Sequence, residues 1–211
     1  MGESDQIDTF TRFTRVSRET ITSLKKYEEM LIKANESLNL IGKSTIPQLW
    51  IRHYLDSAQV IDFIDKNTNS MIDIGTGAGF PGLVLAILSK DRNMGINIKL
   101  VEKSKKKTKF LEKVNDELKL NVKIFNENIF EDKKKIVDDL IIARAFKPLQ
   151  IILELIHKKA ENWKKIFIFL GKSGKQELLQ ASKSWDIEYK QRMSITSSDS
   201  LIIEISELKK K

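Results

Sequence analysis

The chain has 211 residues, the length of one domain or of one domain with a small extension. With 41% hydrophobic and 31% charged residues, 9 Gly and 3 Pro, its composition excludes a disordered or low-complexity chain. Cysteine is absent, which excludes disulfide scaffolds, Cys-ligated zinc, iron–sulfur clusters and thiol nucleophiles. The net charge of +8 favours polyanionic partners such as nucleic acid, although a solvated lysine-rich surface would carry the same charge.

Neither a membrane segment nor a metal centre is predicted. The longest uncharged apolar run, residues 83–88, is far too short to span a bilayer, and the polar, acidic N-terminus predicts no secretory signal. The two histidines, His53 and His157, are too far apart in the sequence to predict a His-rich metal site. We therefore expect a cytoplasmic protein without a metal ion, and nothing in the sequence demands more than a monomer.

Helical spacing dominates the first third of the chain. Apolar residues recur every three or four positions along one predicted helix, at Ile21, Leu24, Tyr27 and Leu31. A second helix is predicted to begin at Pro47 with Thr45 as its N-cap, since proline is favoured in a first turn and threonine at a cap. The polar stretch 66–70 predicts a linker. The predicted organisation is a helical extension over residues 1–66 and a second domain over residues 67–211.

Beyond the linker, short β-branched runs alternate with helical segments. Strands are predicted at 71–74, 96–102, 122–125, 140–143 and 166–170, and helices at 80–90, 104–119 and 148–159. This alternation predicts an α/β fold with a doubly wound, mostly parallel sheet covered on both faces. Two further predicted strands, 185–193 and 200–206, have no helix between them, which predicts an antiparallel C-terminal end of the sheet.

A glycine-rich loop follows the first predicted strand, in the segment 71–87, MIDIGTGAGFPGLVLAI. Its four glycines allow a tight turn and a close approach of the backbone to a ligand at the start of a helix. The loop contains no Lys, which excludes a phosphate-binding P-loop. Residues 77–82 satisfy the Gly-x-Gly-x-x-Gly pattern of dinucleotide folds, but this pattern begins two residues later than those folds require.

Two acidic residues frame the loop and bear on its ligand. Asp73 would repel a pyrophosphate and attract the sulfonium and ammonium groups of S-adenosylmethionine (AdoMet). Glu102 ends the next predicted strand, where an acid hydrogen-bonds the ribose hydroxyls of NAD and AdoMet alike. Together, the loop and the two acids favour AdoMet over NAD as the cofactor. The predicted cofactor contacts within the loop are Gly75, Thr76, Gly77 and Gly79.

Three motifs resemble one enzyme family. Asn39-Leu40 followed by WIRHYLDS at 50–57 is similar to the family's NL…RHxLDS signature, IDIGTGAGFPG to its glycine loop, and ARAF at 143–146 to its SRAF. With these motifs in order along nearly the whole chain, the sequence resembles the glucose-inhibited division protein B family, the bacterial 16S rRNA (guanine-N7) methyltransferases. The resemblance implies a Rossmann-like, class I AdoMet-dependent methyltransferase. Its substrate would be N7 of a guanine in 16S rRNA of the small ribosomal subunit, and its second product S-adenosylhomocysteine.

The resemblance also implies roles for single residues. Gly75 and Phe80 match positions that line the AdoMet site, and Asn128 and Ile129 match a pair that flanks the adenine. The family often has Glu where Ile129 stands, which leaves the backbone N–H as the adenine contact there. Arg144 matches an arginine that serves ligand binding and catalysis. The further residues predicted to contact RNA or substrate are Arg52, His53, Lys103 and Lys172, the last displaced by two residues from the family's lysine.

Several of these residues also have a structural interpretation. His53 would equally serve as a partly buried helix histidine bonded to a backbone carbonyl, and Arg52 is spaced to pair with Asp56 on one helix face. The lysine run 103–109 would either track phosphates or form a solvated helix face. For the whole chain, the alternatives are a methyltransferase of another RNA, a protein or a small molecule, a non-catalytic RNA-binding module, and a nicotinamide dehydrogenase.

Overall fold

The computed structural model describes all residues, 1–211, and contains seven α-helices and one seven-stranded sheet. The α-helices are α1 (Glu3–Thr14), α2 (Arg18–Leu38), α3 (Asp56–Ala58), α4 (Gly82–Asp91), α5 (Lys105–Leu118), α6 (Leu149–Lys159) and α7 (Gly174–Ala181). The strands are β1 (Ser70–Ile74), β2 (Asn97–Val101), β3 (Lys123–Phe125), β4 (Leu140–Arg144), β5 (Lys165–Leu170), β6 (Trp185–Met193) and β7 (Leu201–Lys210). Helices with other hydrogen-bonding patterns are Lys43–Gln48 and Ile61–Phe63, both 3₁₀, and Trp50–Leu55, a π-helix.

The strands form one sheet in the order β3-β2-β1-β4-β5-β7-β6. Strands β1 to β5 run parallel to one another, whereas β7 lies antiparallel to both of its neighbours, β5 and β6. The prediction of a doubly wound, mostly parallel sheet with an antiparallel C-terminal end is therefore confirmed. The order reverses direction between β1 and β4, and a crevice outside the carboxyl ends of the strands is expected at such a point.

Alternating side chains of the strands face two separate hydrophobic layers. In β4, Leu140 and Ile142 face the layer that contains α2, α4 and α5, whereas Ile141 and Ala143 face the layer that contains α6 and α7. This period of two follows from the strand pleat, and both sets are apolar because helices cover both faces. Helix α4 lies between the sheet and the N-terminal helices, which explains why its residues are apolar on every side.

The N-terminal segment packs directly on this first layer. Phe10, Leu24, Tyr27 and Leu31 are fully buried in the same cluster as the apolar residues of α4. Helix α2 begins at an N-cap, Ser17, whose hydroxyl accepts the Thr20 N–H, and it ends where the next residue turns left-handed. The N-terminal helices and one face of the sheet therefore share a single hydrophobic core.

Two local predictions differ from the structure. The sequence predicts a helix that begins at Pro47 behind a Thr45 cap, but Pro47 lies inside a 3₁₀ helix, and the Thr45 hydroxyl donates to the Gly42 carbonyl instead of capping. The chain then continues through the π-helix into α3. The sequence patterns do not predict helix α7, because only Leu178 and Ala181 among its apolar side chains are buried and the segment has a weak apolar stripe.

Candidate active site

A crevice of about 510 Å³ opens at the carboxyl ends of β1, β2 and β4. Three segments that the resemblance singled out meet there: the RHxLDS segment, the glycine loop and the ARAF segment. The sequence-predicted residues that line the crevice are His53, Gly75, Thr76, Gly77, Phe80, Glu102, Lys103, Asn128, Ile129 and Arg144. The predicted residues that do not line it are Arg52, Asp73, Gly79 and Lys172.

The glycine loop depends on backbone conformations and close contacts that other residues would disturb. Gly75 has φ +73°, and a Cβ there would lie 2.0 Å from the Phe146 ring. Gly79 has φ +104° and faces away from the crevice, because a Cβ there would lie 2.5 Å from the Leu83 side chain and 2.6 Å from the Tyr27 hydroxyl. Gly77, at φ +61°, leaves open space above the loop. A ligand can therefore approach the backbone closely at Gly77.

Asp73 lies beneath the loop and does not face the crevice. Its side chain is fully buried, and one carboxylate oxygen accepts hydrogen bonds from the Thr76 hydroxyl at 2.6 Å and from the Gly82 N–H at 2.8 Å. The other oxygen, Oδ1, has no partner in the protein. Burial raises the pKa of Asp73 to about 6, although both hydrogen bonds act in the opposite direction. In the structure this carboxylate holds the loop, and the attraction of a cationic ligand that the sequence predicts for Asp73 stays a prediction.

Glu102 does line the crevice, directly after β2. One carboxylate oxygen accepts the Gly77 N–H at 3.1 Å and the other accepts the Ser104 N–H at 2.7 Å. Each oxygen retains a lone pair for a ligand, since an ionised carboxylate accepts about four hydrogen bonds. An acid fixed in this way beside a glycine loop fits the two ribose hydroxyls of an adenosyl group.

Apolar side chains form the wall that follows β3 and β4. The Phe130 and Phe146 rings are stacked, with centroids 5.6 Å apart and planes inclined by 17°. Ile129 is buried beside them, and the Asn128 side chain bonds Glu131 and the Phe130 N–H. This wall fits a flat, weakly polar group such as adenine. Glu102 and the apolar wall therefore suit the two ends of an adenosine.

Arg144 is the cation at the end of β4. Its Nε donates to Asp56 Oδ2 at 2.8 Å, and its Nη2 donates to the Arg52 carbonyl oxygen at 2.8 Å. Asp56 therefore pairs with Arg144, and the predicted pair between Arg52 and Asp56 is wrong. The reason is that the start of α3 and the end of β4, 88 residues apart in sequence, meet here.

His53 stacks on Phe80 at the mouth of the crevice, with ring centroids 4.9 Å apart. Its Nε2 hydrogen-bonds the Thr45 hydroxyl at 2.9 Å, so its partner is a side chain and not the predicted backbone carbonyl. Its Nδ1 is buried and has no partner in the protein. Burial, and then the nearby Arg144 charge, lower the pKa of His53 to about 4. The imidazole is therefore neutral near pH 7.

Two of the predicted RNA contacts lie outside the crevice. The Lys172 side chain is 86% exposed, 3.8 Å from the Asp199 carboxylate, and Arg52 contributes its backbone carbonyl to Arg144. The crevice residues that the sequence analysis did not assign are Leu40, Ile41, Ala78, Val101, Lys107, Glu127, Phe130, Ala145, Phe146 and Lys147. Several of them follow β3 or β4, and the rule that ligands bind beyond the carboxyl ends of parallel strands would have found them.

No helix of the structure has both the length and the apolar character that crossing a membrane requires. No group of three or more His, Asp or Glu side chains is arranged to hold a metal ion.

The chain matches the family described as rRNA small subunit methyltransferase G, GidB, over residues 20–203. The chain belongs to this family. The ribosomal RNA small subunit methyltransferase G of Pelagibacter ubique (strain HTCC1062) is 42% identical over 198 residues, which are 93% of this chain and 92% of the relative. That of Rickettsia akari (strain Hartford) is 35% identical over 195 residues, or 92% of this chain and 98% of the relative. The family predicted from the three motifs is confirmed.

Solved structures of low sequence identity share the fold. The O-methyltransferase from Bacillus cereus in complex with S-adenosylhomocysteine has a TM-score of 0.55 at 16% identity, covering 86% of this chain and 91% of its own. TrmK from M. capricolum, in complex with the same cofactor product, has a TM-score of 0.53 at 21% identity, covering 71% and 66%. This chain is a methyltransferase by its family, and it shares the class I fold of these two enzymes.

Proposed function

We propose that the chain transfers a methyl group from AdoMet to N7 of a guanine in the 16S rRNA of the small ribosomal subunit. Its family and the description that its relatives carry support rRNA as the substrate. The observation that carries the proposal is that His53, Gly75 and Arg144, one from each of the three motifs, line one crevice beyond the parallel strands. The choice of guanine N7 as the methylated atom rests on the resemblance of those motifs to the 16S rRNA (guanine-N7) methyltransferases.

The crevice offers contacts for each part of AdoMet, the methyl donor. Glu102 would accept hydrogen bonds from the two ribose hydroxyls, and the wall of Ile129 and Phe130 would pack against the adenine, with the Ile129 N–H as a donor. Arg144 would orient the methionine carboxylate or the guanine. AdoMet supplies an electrophilic methyl group on a sulfonium. Asp73 and Gly79 act behind the loop, where they support its conformation.

Methylation at N7 requires no general base, because N7 of neutral guanine carries a lone pair and no proton. The residues of the crevice then have to align the nucleophile with the methyl group and exclude water. The guanine gains positive charge as it is methylated. Because His53 stays neutral, it adds no opposing charge beside the base, and its unpartnered Nδ1 leaves one hydrogen-bonding atom for a ligand.

RNA phosphates would be bound by the lysines at the start of α5. None of the lysines at 103, 105, 106, 107 and 109 forms an ion pair, although most other lysine-rich stretches of the surface contain at least one. Lys103 and Lys107 line the crevice, and the other three are exposed in the first turns of α5. Unpaired cations at the mouth of a nucleotide site are suited to phosphates on either side of a target base.

The decisive experiment maps 7-methylguanine in 16S rRNA from cells with and without the gene, and from deleted cells that carry the Arg144→Ala variant. We expect one mark to disappear on deletion and to return with the wild-type gene but not with the variant. Purified protein should also methylate 30S particles or naked 16S rRNA with labelled AdoMet. Unchanged rRNA marks together with methyl transfer to another RNA or to protein would overturn the substrate and favour the alternative methyltransferases.

A further inference from the structure

A polar cluster beside the crevice joins three segments that are far apart in the sequence. Asp56 Oδ1 accepts hydrogen bonds from Gln59 Nε2 at 2.8 Å, Ser194 Oγ at 3.1 Å and Thr196 Oγ1 at 2.8 Å. Asp56 Oδ2 accepts the Arg144 Nε–H at 2.8 Å. These five residues are called the Asp56 cluster below. They connect the N-terminal segment, the end of β4 and the loop between β6 and β7.

The cluster bonds both carboxylate oxygens of Asp56, with three donors on Oδ1 and Arg144 on Oδ2. Asp56 itself does not line the crevice, although Arg144 does. The side chain of Asp56 is 14% exposed and that of Arg144 is 16% exposed, so water screens their ion pair less than a surface pair. Because Asp56 does not line the crevice, it acts on a bound ligand only through the groups that it holds.

The held group that reaches the crevice is Arg144. Its guanidinium is fixed along one side by Asp56 and by the Arg52 carbonyl oxygen, whereas its Nη1 has no partner in the protein. Arg144 lines the crevice, and its Cζ lies 6.0 Å from the centroid of the Phe80 ring. A guanidinium held in this way presents its remaining N–H groups in a fixed direction, which suits a carboxylate.

The loop between β6 and β7 closes the cluster from the other side. Besides the two hydroxyl donors, its Ile195 N–H donates to Gln59 Oε1 at 3.0 Å, while the Gln59 amide donates to Asp56. Three consecutive residues of the loop, 194–196, thus contact the Asp56–Gln59 pair. These hydrogen bonds link the antiparallel end of the sheet to the crevice, although that end is far from the glycine loop in the strand order.

We propose that Asp56 is a positioning residue, which the hydroxyls of Ser194 and Thr196 hold in place and which aims Arg144 at the methionine carboxylate of AdoMet. This inference rests on the proposed function for the reaction that it serves, but it concerns binding of the donor alone. The C-terminal hairpin thereby takes part in binding the donor.

A double-mutant cycle tests this role. Asp56→Asn, Arg144→Gln and the double variant are compared for AdoMet affinity by calorimetry and for stability by thermal unfolding. We expect each single variant to weaken AdoMet binding by about tenfold or more, and the double variant to bind no more weakly than Arg144→Gln. Asp56→Glu, which restores the charge, should recover part of the affinity.

Matched controls separate positioning from a structural role. Asp62→Asn makes the same chemical change in another Asp–Arg pair, Asp62 with Arg92, which lies away from the crevice. It should leave AdoMet affinity unchanged. Thr196→Val removes one hydroxyl of the cluster and should weaken AdoMet binding by about threefold, a milder loss that keeps the test valid if Asp56→Asn unfolds.

The inference is overturned if Thr196→Val and Asp56→Asn bind AdoMet like the wild type, or if the losses of Asp56→Asn and Arg144→Gln add in full. The same proteins are also assayed for methyl transfer to 30S particles. If the wild type binds AdoMet but methylates no rRNA, the proposed function fails while the cycle in AdoMet affinity still decides the role of Asp56. The two proposals therefore fail on different measurements.

Discussion

Asp73 and Glu102 show how one kind of side chain acquires two roles from its surroundings. In the sequence both acids occupy similar positions, near the end of a predicted strand and close to the glycine loop. Glu102 reaches the crevice and bonds two backbone N–H groups, whereas Asp73 is fully buried and bonds the Thr76 hydroxyl and the Gly82 N–H. Their hydrogen bonds hold the loop from two sides, and of the two acids Glu102 is the one that lines the crevice.

The raised pKa of Asp73 predicts a specific pH dependence of stability. The folded-state pKa of Asp73, about 6, lies above the pKa of an unfolded aspartate. Its contribution to the free energy of unfolding is therefore largest below about pH 4 and is lost as the pH rises through 6. We expect Asp73→Asn to lack this decline. The stability difference between variant and wild type should therefore shift in favour of the variant, by on the order of 2 kcal/mol, between pH 4 and pH 7.

Urea unfolding at several pH values measures this difference. His53 titrates in an overlapping range with the opposite sign, since its folded-state pKa is lowered, but it is present in both proteins and cancels in the difference. Asp8→Asn, the same chemical change at an exposed position, is measured alongside as the control. Parallel curves for Asp73→Asn and the wild type would contradict the raised pKa.

At the scale of elements, helix α2 supports the glycine loop from behind. The hydroxyl of Tyr27 donates to the Ala78 carbonyl oxygen in the loop, and its ring lies against Phe80 with centroids 5.6 Å apart. Tyr54 is equally buried, but its hydroxyl donates to the Leu24 carbonyl oxygen within α2, at 3.1 Å. The Tyr54 ring also lies near Phe80, with centroids 5.9 Å apart, but only the Tyr27 hydroxyl bonds the loop backbone.

This pair of tyrosines provides a matched test. We expect Tyr27→Phe and Tyr54→Phe each to lower the free energy of unfolding by about 1 kcal/mol, because each removes one buried hydrogen bond. Only Tyr27→Phe should also weaken AdoMet binding, by several-fold in calorimetry. Equal AdoMet affinity of the two variants would show that the loop does not need the α2 contact.

The start of α5 carries a second prediction at this scale. Replacing Lys105, Lys106 and Lys109 by Gln should weaken binding to 16S rRNA and reduce the slope of log affinity against log salt by about 0.7 to 0.9 for each phosphate that the variant no longer neutralises. The same triple change at Lys66, Lys183 and Lys190, which are also exposed and form no ion pair, is the control. Filter binding at about 50 to 300 mM salt measures the salt slope of each triple variant. Equal slopes for the two triple variants would mean that the α5 lysines form only a solvated face.

At the scale of the whole molecule, the division at residue 66 separates parts that share a core. Buried side chains of α1 and α2 and of the π-helix lie in one hydrophobic cluster with α4, α5 and one face of the sheet. Trp50, 1% exposed, is part of that cluster. Removing either part would expose apolar surface on the other, so we expect the chain to unfold as one unit.

Cooperative unfolding can be tested with Trp50 as a local probe. In a Trp163→Phe/Trp185→Phe variant, Trp50 is the remaining tryptophan and reports on the N-terminal segment. Its fluorescence transition in urea should coincide with the loss of far-UV circular dichroism, which averages over the whole chain. A fluorescence midpoint at clearly lower urea would show that residues 1–66 unfold separately.

The fold could be predicted from sequence because it depends on local patterns. Alternating apolar runs and helical stripes predicted the parallel sheet and its antiparallel end, and the family motifs predicted which loops form the site. Segments without a strong pattern were missed or misread. Helix α7 has few buried apolar residues, and the segment around Pro47 forms 3₁₀ and π turns that no simple spacing predicts.

The chemistry available in the crevice could be read from the residues alone: glycines for a close approach, Glu102 for hydroxyls, Arg144 as a cation, and no cysteine. The partner of each residue, in contrast, depends on tertiary packing. Asp56 pairs with Arg144, 88 residues away, and with hydroxyls about 140 residues away, although Arg52 lies one turn before it. The physical reason is that a carboxylate removed from water is bound by whichever donors the packed strands and helices bring to it. Spacing along the sequence does not show which donors these are.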